Sequence, residues 1–214
     1  NAAMRALGAN LIEFGDDFQE SREHAIALSQ EHGWHMVPSI HHDIVCGVAS
    51  YWTEFFTAQT NLDVVYVPIG QGSGICAAVA ARNALGLQTA IVGVVSSHAL
   101  AYKRSFEQNA LIESPVSTVL ADGMACRKPD AWAMQVIRDQ VSAIVAVSDD
   151  EVANAMKHIF LATHNVAEGA GAAAFAAALQ AKDSLKGMKV GISLSGGNVD
   201  HDVFARSLVL GAIV

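Results

Sequence analysis

Residues 62–76 constrain the fold of this chain more than any other stretch. A largely β-branched apolar run at residues 64–69 is followed by a glycine-rich segment, Gly70 to Gly74, and then by alanine-rich residues 75–85. β-Branched residues favour a strand and alanine favours a helix. Glycines let backbone N–H groups approach an anion, and the positive end of the following helix points into the same loop. The pattern predicts a strand, a phosphate-binding loop and a helix.

Two common glycine loops do not fit this segment. No Lys-Ser or Lys-Thr pair follows Gly74, so the loop is not a P-loop. Gly70, Gly72 and Gly74 have the spacing GxGxG, and no acidic residue closes the next predicted strand, so the dinucleotide fingerprint fits poorly. A tight turn without a ligand remains an alternative, because glycines occur wherever a chain turns sharply. If the loop binds a ligand, the sequence favours the phosphate of another cofactor.

Composition and charge exclude several classes of partner. Of the 214 residues, 52% are apolar and 16% are charged, which is enough to bury a large core. The net charge is −8 and no basic cluster is present, which argues against nucleic acid or an anionic membrane surface as a partner. No apolar run is long enough to span a bilayer, and the first residues lack the layout of a signal peptide. We therefore expect a cytoplasmic protein that acts on a small molecule.

The cysteines and histidines give little sign of a metal site. Three cysteines are widely separated along the chain: Cys46, Cys76 and Cys126. Their spacing matches neither a zinc site nor a disulfide framework, so we predict buried thiols. His41, His42 and Asp43 form the only dense histidine cluster, but adjacent positions point in different directions on a helix or a strand. A polar helix start is the favoured interpretation there, and we predict no metal.

Strands and helices alternate along most of the chain. Strands are predicted at residues 10–14, 34–40, 64–69, 90–95, 143–147 and 189–194. Helices are predicted at residues 18–32, 44–56, 75–85, 130–141, 149–163, 171–182 and 200–207, with an irregular stretch at residues 96–127. Apolar strands interleaved with helices indicate an α/β fold, with a mostly parallel sheet flanked by helices on both faces. A change of composition near His41 predicts a small α/β domain at residues 1–41 and a large domain at residues 42–214.

Three further segments place polar residues beside glycines. The Ser-Leu-Ser-Gly-Gly-Asn-Val-Asp loop at residues 193–200 directly follows the last predicted strand, and Ser195 offers a neutral hydroxyl there. Because ligands collect at the carboxyl ends of parallel strands, this loop and the Gly70 loop are predicted to face one site. Glu168 precedes a predicted helix, and Gly123 ends the segment at residues 120–123. Each segment also has a simpler interpretation. Residues 193–200 could form only a turn, the Glu168 carboxylate could interact only with the helix dipole, and residues 120–123 could form only a loop.

Together these segments resemble the fold-type II pyridoxal 5′-phosphate (PLP) enzymes, specifically the threonine/serine dehydratase and serine racemase family. Five segments match family motifs in the family's order: NAAMRALGAELI at residues 1–12, VPxGGGGLI at 67–75, ADG at 120–123, EPxG at 168–171 and SGGN at 195–198. Order and spacing are independent checks on each motif. The resemblance implies a tryptophan synthase β-like fold, in which residues 42–214 form the cofactor-binding domain.

The resemblance implies a role for each matched residue. The PLP phosphate would be held by the loop residues Gly70, Gln71, Gly72, Ser73 and Gly74. Ser195 would hydrogen-bond the pyridine nitrogen, and Gly123 and Glu168 would line the ring or substrate pocket. A neutral serine does not hold the ring nitrogen protonated, so the ring is a weaker electron sink and β-elimination outcompetes transamination. The implied reaction converts a threonine- or serine-like hydroxy amino acid to a 2-oxo acid and ammonia.

Two family features are missing from the sequence. No lysine lies in the Ser-Phe-Lys setting of the family's Schiff-base lysine, and the chain begins at Asn1 inside an apparent helix. We therefore expect that lysine to lie upstream and this segment to be inert by itself, because the nucleophile and general base are lacking. The acids of the family's divalent-cation site correspond to Val95 and Ala101, so we expect no metal there.

Differences within the motifs leave the substrate open. Gln71 and Ser73 replace glycines and Gly169 replaces a proline, as in a subgroup that acts on other substrates, including hydroxyectoine-type compounds. Members of the family are usually homodimers, and the apolar tail at residues 208–214 is predicted to cover the core or to lie at such an interface. The alternatives are an inactive domain that binds PLP or another phosphate ligand, a racemase of the same family, and a nucleotide-binding enzyme.

Overall fold

The computed structural model describes residues 1–210, which fall into two compact units. The first unit is Asn1–Pro38, and the second begins at Ser39. The functional roles expected for residues 1–41 and 42–214 remain predictions. Part of the apolar tail at residues 208–214 lies outside the described residues, so the expected packing of that tail also remains a prediction.

Two helices, α1 (Ala2–Ala6) and α2 (Phe18–His32), are the regular elements described in the first unit. The predicted bounds of α2 are confirmed, and Asp17 caps its first turn. The strands predicted at residues 10–14 and 34–40 are wrong, because neither segment pairs with a strand among the described residues. Apolar, β-favouring residues form a strand only where a neighbouring strand supplies hydrogen bonds.

A four-stranded parallel sheet lies at the centre of the second unit. Its strands are β1 (Val64–Pro68), β2 (Ala90–Ser96), β3 (Ala143–Val147) and β4 (Val190–Ile192). Their spatial order is β3-β2-β1-β4. Strand β1 is internal, because Val65 lies opposite Ile91 of β2 on one side and Gly191 of β4 on the other. The predicted parallel sheet is therefore confirmed.

Helices cover both faces of the sheet. One face packs against α3 (His42–Ala58), α4 (Ser73–Ala84) and α6 (Ala131–Gln140), and the other against α7 (Asp149–Thr163) and α8 (Gly169–Gln180). Strand β1 alternates between the two cores: Val65 and Val67 belong to the first, and Val64 and Tyr66 to the second. Burial on both faces explains why this strand is a continuous apolar run.

The path of the chain creates a topological switch point between β1 and β4. After β1 the chain enters α4, which lies on one face of the sheet. After β4 it enters α9 (His201–Leu210), which packs against α7 on the opposite face. Neighbouring parallel strands whose connections diverge in this way leave a crevice at their carboxyl ends, where α/β proteins bind ligands.

The remaining helices and strands of the second unit lie within three residues of their predicted ends. The stretch predicted to be irregular, residues 96–127, contains α5 (Ala101–Glu107) and a single 3₁₀ turn, Asp122–Met124. Helix α5 has only seven residues, too few to show a clear helical period in the sequence. Its buried residues, among them Tyr102, pack beside α6 and β3.

The histidine cluster at the start of α3 forms the predicted polar helix start. His41 is the N-cap residue, and its Nδ1 accepts a hydrogen bond from the Asp43 N–H. Within residues 1–210, no group of three histidine, cysteine or acidic side chains is arranged to hold a metal ion. Cys46 is exposed on α3, contrary to the prediction of three buried thiols, because it lies on the outer face of the helix. No described helix is both long and apolar enough to cross a bilayer.

Candidate cofactor site

The glycine loop after β1 opens directly into the first turn of α4. Gly72 is the N-cap residue, with φ +103°, and no side chain caps the helix. A Cβ atom at Gly72 would lie 2.7 Å from Cβ of Ala133 and 3.1 Å from the hydroxyl oxygen of Tyr102, so only glycine fits. At Gly74 a Cβ atom would meet no described atom within 4 Å. The first turn of α4 therefore lacks a side-chain cap and has space beside Gly74, an arrangement that suits an anion.

Four glycines bring the separate sequence motifs into direct contact. At each of them a Cβ atom would lie less than 3.0 Å from a carbonyl oxygen of another segment: Gly70 from Gly123, Gly169 from Leu120, Gly171 from Gly196, and Gly197 from Val166. Contacts this close are possible only without a side chain. The structure thus brings the loops at residues 70–74, 120–123, 166–171 and 195–198 together at the carboxyl edge of the sheet.

The Glu168 carboxylate lies among these glycines. Glu168 is the N-cap residue of α8, but its side chain makes no capping hydrogen bond. A Cβ atom at Gly196 would lie 2.5 Å from its Oε1, and one at Gly123 would lie 3.8 Å from the same atom. The backbone N–H of Glu168 donates to the Gly196 carbonyl at 3.0 Å. The carboxylate is therefore held between two of the motifs, which simple capping of the helix does not explain.

Two serines follow β4. Ser195, the residue singled out by the sequence, is exposed. Ser193 is 92% buried, and its Oγ has no hydrogen-bond partner among the described residues. Sequence reasoning gave no role to Ser193, because the predicted strand at residues 189–194 included it, whereas β4 ends at Ile192. A buried hydroxyl without a partner is unusual enough to mark this loop as a polar site.

Side chains from the core hold the glycine loop from behind. The Tyr102 hydroxyl donates to the Gln71 carbonyl at 2.7 Å and accepts from the Asp130 N–H at 3.1 Å. The Trp52 indole N–H donates to the Gly74 carbonyl at 3.0 Å. Burial raises the pKa of Tyr102, so its hydroxyl stays protonated and remains a donor. These contacts could not be predicted from the sequence, because they join residues 22 to 31 positions apart.

The side chain of Gln71 is also engaged. Its amide Nε2 donates to the Sγ atom of Cys126 at 3.3 Å, and Cys126 is buried. Cys126 in turn lies 3.3 Å from the Lys128 carbonyl. The Gln71 side chain thus points back to the protein, and the backbone is the part of Gln71 that is available to a ligand.

Sequence and structure comparisons agree on the relatives of this chain. The chain is 30% identical over 210 residues to the L-threonine ammonia-lyase of Thermotoga maritima, covering 98% of this chain and 52% of that protein. It is 29% identical over 205 residues to the L-threo-3-hydroxyaspartate ammonia-lyase of Saccharomyces cerevisiae, covering 95% and 63%. The processed form of threonine deaminase isoform 2 from Solanum lycopersicum superposes with a TM-score of 0.90 at 23% identity, covering 99% and 63%. The predicted fold-type II architecture is therefore confirmed.

These comparisons cover almost all of this chain but only part of its relatives. The chain spans about half to two-thirds of the length of the curated relatives described above. The family model for pyridoxal-phosphate dependent enzymes matches residues 1–196. The chain therefore belongs to the pyridoxal-phosphate dependent enzyme family, and PLP is the cofactor of this family.

Proposed function

We propose that this chain is the cofactor-binding part of a PLP-dependent ammonia-lyase that acts by β-elimination. The substrate is a hydroxy amino acid of the threonine or serine type, and the products are a 2-oxo acid and ammonia. The observation that carries the proposal is the contact among four glycine-rich segments beside the open first turn of α4. The names of the relatives, which include ammonia-lyases for threonine and 3-hydroxyaspartate, support the type of reaction.

The loop after β1 fits the cofactor's phosphate. The first turn of α4 has no side-chain cap, and the space in front of Gly74 is open. Backbone N–H groups with the positive end of the helix dipole behind them bind a phosphate without any basic side chain. We assign this role to Gly70, Gln71, Gly72, Ser73 and Gly74. The Ser73 hydroxyl, at the first position of α4, supplies a further donor.

The rest of the site fits the ring. Ser195 donates its hydroxyl to the pyridine nitrogen, while Gly123 and Glu168 line the pocket beside the ring and the substrate. When bound, PLP supplies an electron sink for the carbanion at the substrate's α-carbon. Because Ser195 has no charge, it leaves the ring nitrogen unprotonated and moderates that sink, which favours loss of the β-hydroxyl. The Glu168 carboxylate gives the pocket a charged acceptor for a donor group of the substrate.

The lysine that carries the cofactor lies outside these residues in this proposal. Lys103 is held by the Ile144 carbonyl at 3.1 Å and pairs with Glu107 at 2.7 Å, and Lys128 pairs with Glu113 at 3.4 Å. Lys157 lies within α7, and the other three lie between the end of α8 and β4, at the amino edge of the sheet: Lys182, Lys186 and Lys189. The segment of residues 1–214 is therefore expected to be inert alone. Residues 1–41 then form part of a small domain, and the parent protein is expected to be a cytoplasmic homodimer.

An assay of ammonia release tests the proposal. The natural full-length protein is incubated with PLP and a panel of β-hydroxy amino acids, and ammonia and 2-oxo acid are measured together. We expect equal amounts of both products from at least one of threonine, serine and 3-hydroxyaspartate. A protein that retains PLP but releases neither product would instead be an inactive binding domain. Interconversion of substrate enantiomers without ammonia would indicate a racemase, and failure to retain PLP would contradict the whole proposal.

A further inference from the structure

We propose that Tyr102 and Trp52 are positioning residues that aim the backbone N–H groups of the glycine loop at the ligand phosphate. This inference rests on the proposed function, because it assumes that the loop binds the phosphate of PLP. It gives a function to two buried side chains that contact the loop from the protein core and do not themselves bind the phosphate.

The geometry of the peptide bond gives the hydrogen bonds behind the loop their effect. In a trans peptide the C=O and N–H groups are coplanar and point in opposite directions. The hydrogen bond from Tyr102 to the Gln71 carbonyl therefore turns the N–H of Gly72 away from Tyr102. The bond from Trp52 to the Gly74 carbonyl turns the N–H of Ile75 away from Trp52 in the same manner. Two carbonyls are thus held against the core, and the N–H group that follows each of them points away from the side chain that holds it.

Both side chains are rigid enough to hold the loop. Tyr102 is 1% exposed and Trp52 is not exposed at all. The Tyr102 hydroxyl is fixed from a second direction by the N–H of Asp130, the N-cap residue of α6. The Trp52 ring is packed against three other rings of α3, with centroid distances of 4.9 Å to Tyr51, 5.5 Å to Phe55 and 5.6 Å to Phe56. A donor that cannot move fixes the orientation of the carbonyl it contacts, and preorganised donors bind an anion more tightly than mobile ones.

The test compares PLP with pyridoxal, which has the same ring and aldehyde but no phosphate. Dissociation constants for both are measured with the natural full-length protein and with Tyr102→Phe and Trp52→Phe, which keep an aromatic ring and lose the donor. We expect PLP to bind about tenfold more weakly to Tyr102→Phe and a few-fold more weakly to Trp52→Phe, as loss of one buried hydrogen bond implies. Pyridoxal affinity should stay within about twofold of the wild-type value, because pyridoxal makes no contact with the loop.

Matched controls separate this task from a general packing role. Tyr66→Phe changes a buried tyrosine of the other core cluster, and Trp34→Phe changes an exposed tryptophan of the first unit. Neither should alter the ratio of PLP to pyridoxal affinity. If Tyr102→Phe does not fold, as judged by urea denaturation, Trp52→Phe provides the same comparison.

The outcomes distinguish this inference from the proposed function. Selective loss of PLP affinity supports the positioning role. Equal losses for PLP and pyridoxal, or no loss for either, overturn the positioning role while the proposed function stands. A wild-type protein that binds neither compound overturns both.

Discussion

Replacing Gly171 with alanine tests whether the glycine contacts hold the site together. Gly171 lies in the first turn of α8, where an alanine backbone is fully allowed and would ordinarily favour the helix by about 1 kcal/mol. Here, however, a Cβ atom would lie less than 3.0 Å from the Gly196 carbonyl oxygen and 3.0 Å from the Gly196 nitrogen. The obstacle is backbone rather than the end of a flexible side chain, so the loop at residues 195–198 has to move.

The size of the effect follows from a matched control. Gly47 lies inside α3, is exposed, and has no described atom within 4 Å of a Cβ atom placed there. Gly47→Ala and Gly171→Ala share the gain in helix propensity, so the difference between them isolates the contact. Overpacking costs about 1–3 kcal/mol. Displacing Gly196 also weakens its hydrogen bond with the Glu168 N–H, which contributes about 0.5–1.5 kcal/mol.

Urea denaturation followed by far-ultraviolet circular dichroism measures this difference. We expect the free energy of unfolding of Gly171→Ala to be about 2–4 kcal/mol below that of Gly47→Ala, and PLP affinity to fall in Gly171→Ala alone. Equal free energies of unfolding, with unchanged PLP affinity, would mean that α8 and the loop after β4 are not in close contact. Close glycine contacts would then not be what brings the motifs together.

Three further changes probe the site and its surroundings. Gly74→Ala should lower PLP affinity, because the new Cβ atom would occupy the open space beside the first turn of α4. The free energy of unfolding should stay within about 1 kcal/mol of the wild-type value. PLP titration measures the first quantity and urea denaturation the second. Ser195→Asp should slow ammonia release more than Ser195→Ala, because the negative charge of an aspartate would keep the ring nitrogen protonated. Burial raises the pKa of the Cys76 thiol from 9.0 to about 12, so the free energy of unfolding should fall as pH rises through this range, and Cys76→Ala should reduce that fall.

Each of these predictions has a contradicting result. Unchanged PLP affinity in Gly74→Ala would place the phosphate elsewhere. Equal and negligible effects of both Ser195 substitutions would mean that the loop at residues 195–198 is only a turn and does not contact the cofactor ring. For Cys76 the sign follows from the raised pKa: the unfolded chain loses the thiol proton first, so high pH favours unfolding. Parallel pH curves for wild type and Cys76→Ala between pH 9 and about 12 would show that the thiol is not protected by burial.

The large parallel sheet and its flanking helices could be predicted because local signals agreed with the final packing. The run at residues 64–69 is apolar at every position, since β1 is buried on both faces: Val65 and Val67 pack into one core, and Val64 and Tyr66 pack into the other. Strong caps, such as the capping box of Ser148 and Glu151, mark the start of α7 in the sequence itself. Where a local pattern is sufficient to define an element, the sequence reveals it.

The first unit shows where local signals fail. Residues 10–14 and 34–40 have the composition of strands, but β-structure depends on a partner strand, and the sequence of a segment does not reveal its partner. Helix α5 was missed for a different reason. Its seven residues span two turns, too few for a periodic pattern, and it is held by the burial of Ala101, Tyr102 and Ser105.

The candidate site was predicted in part. Gly70, Gly123, Glu168 and Ser195 stand in short motifs, and the rule that ligands collect at strand ends suggested that the motifs meet. The supports behind the loop could not be predicted, because a tyrosine or tryptophan in a helix looks like an ordinary core residue. Only the folded chain shows that the hydroxyl of Tyr102 reaches the Gln71 carbonyl.

Hydrogen exchange of the backbone amides, with and without PLP, tests the central claim most directly. The claim is that the glycine loop after β1 holds the cofactor's phosphate and that the loop after β4 meets its ring. With the natural full-length protein, PLP should slow exchange at residues 70–75 and at residues 194–198. Pyridoxal should protect the second segment and leave the first largely unchanged. Protection by PLP that is confined to other parts of the chain, with both segments exchanging as in the free protein, would contradict the claim.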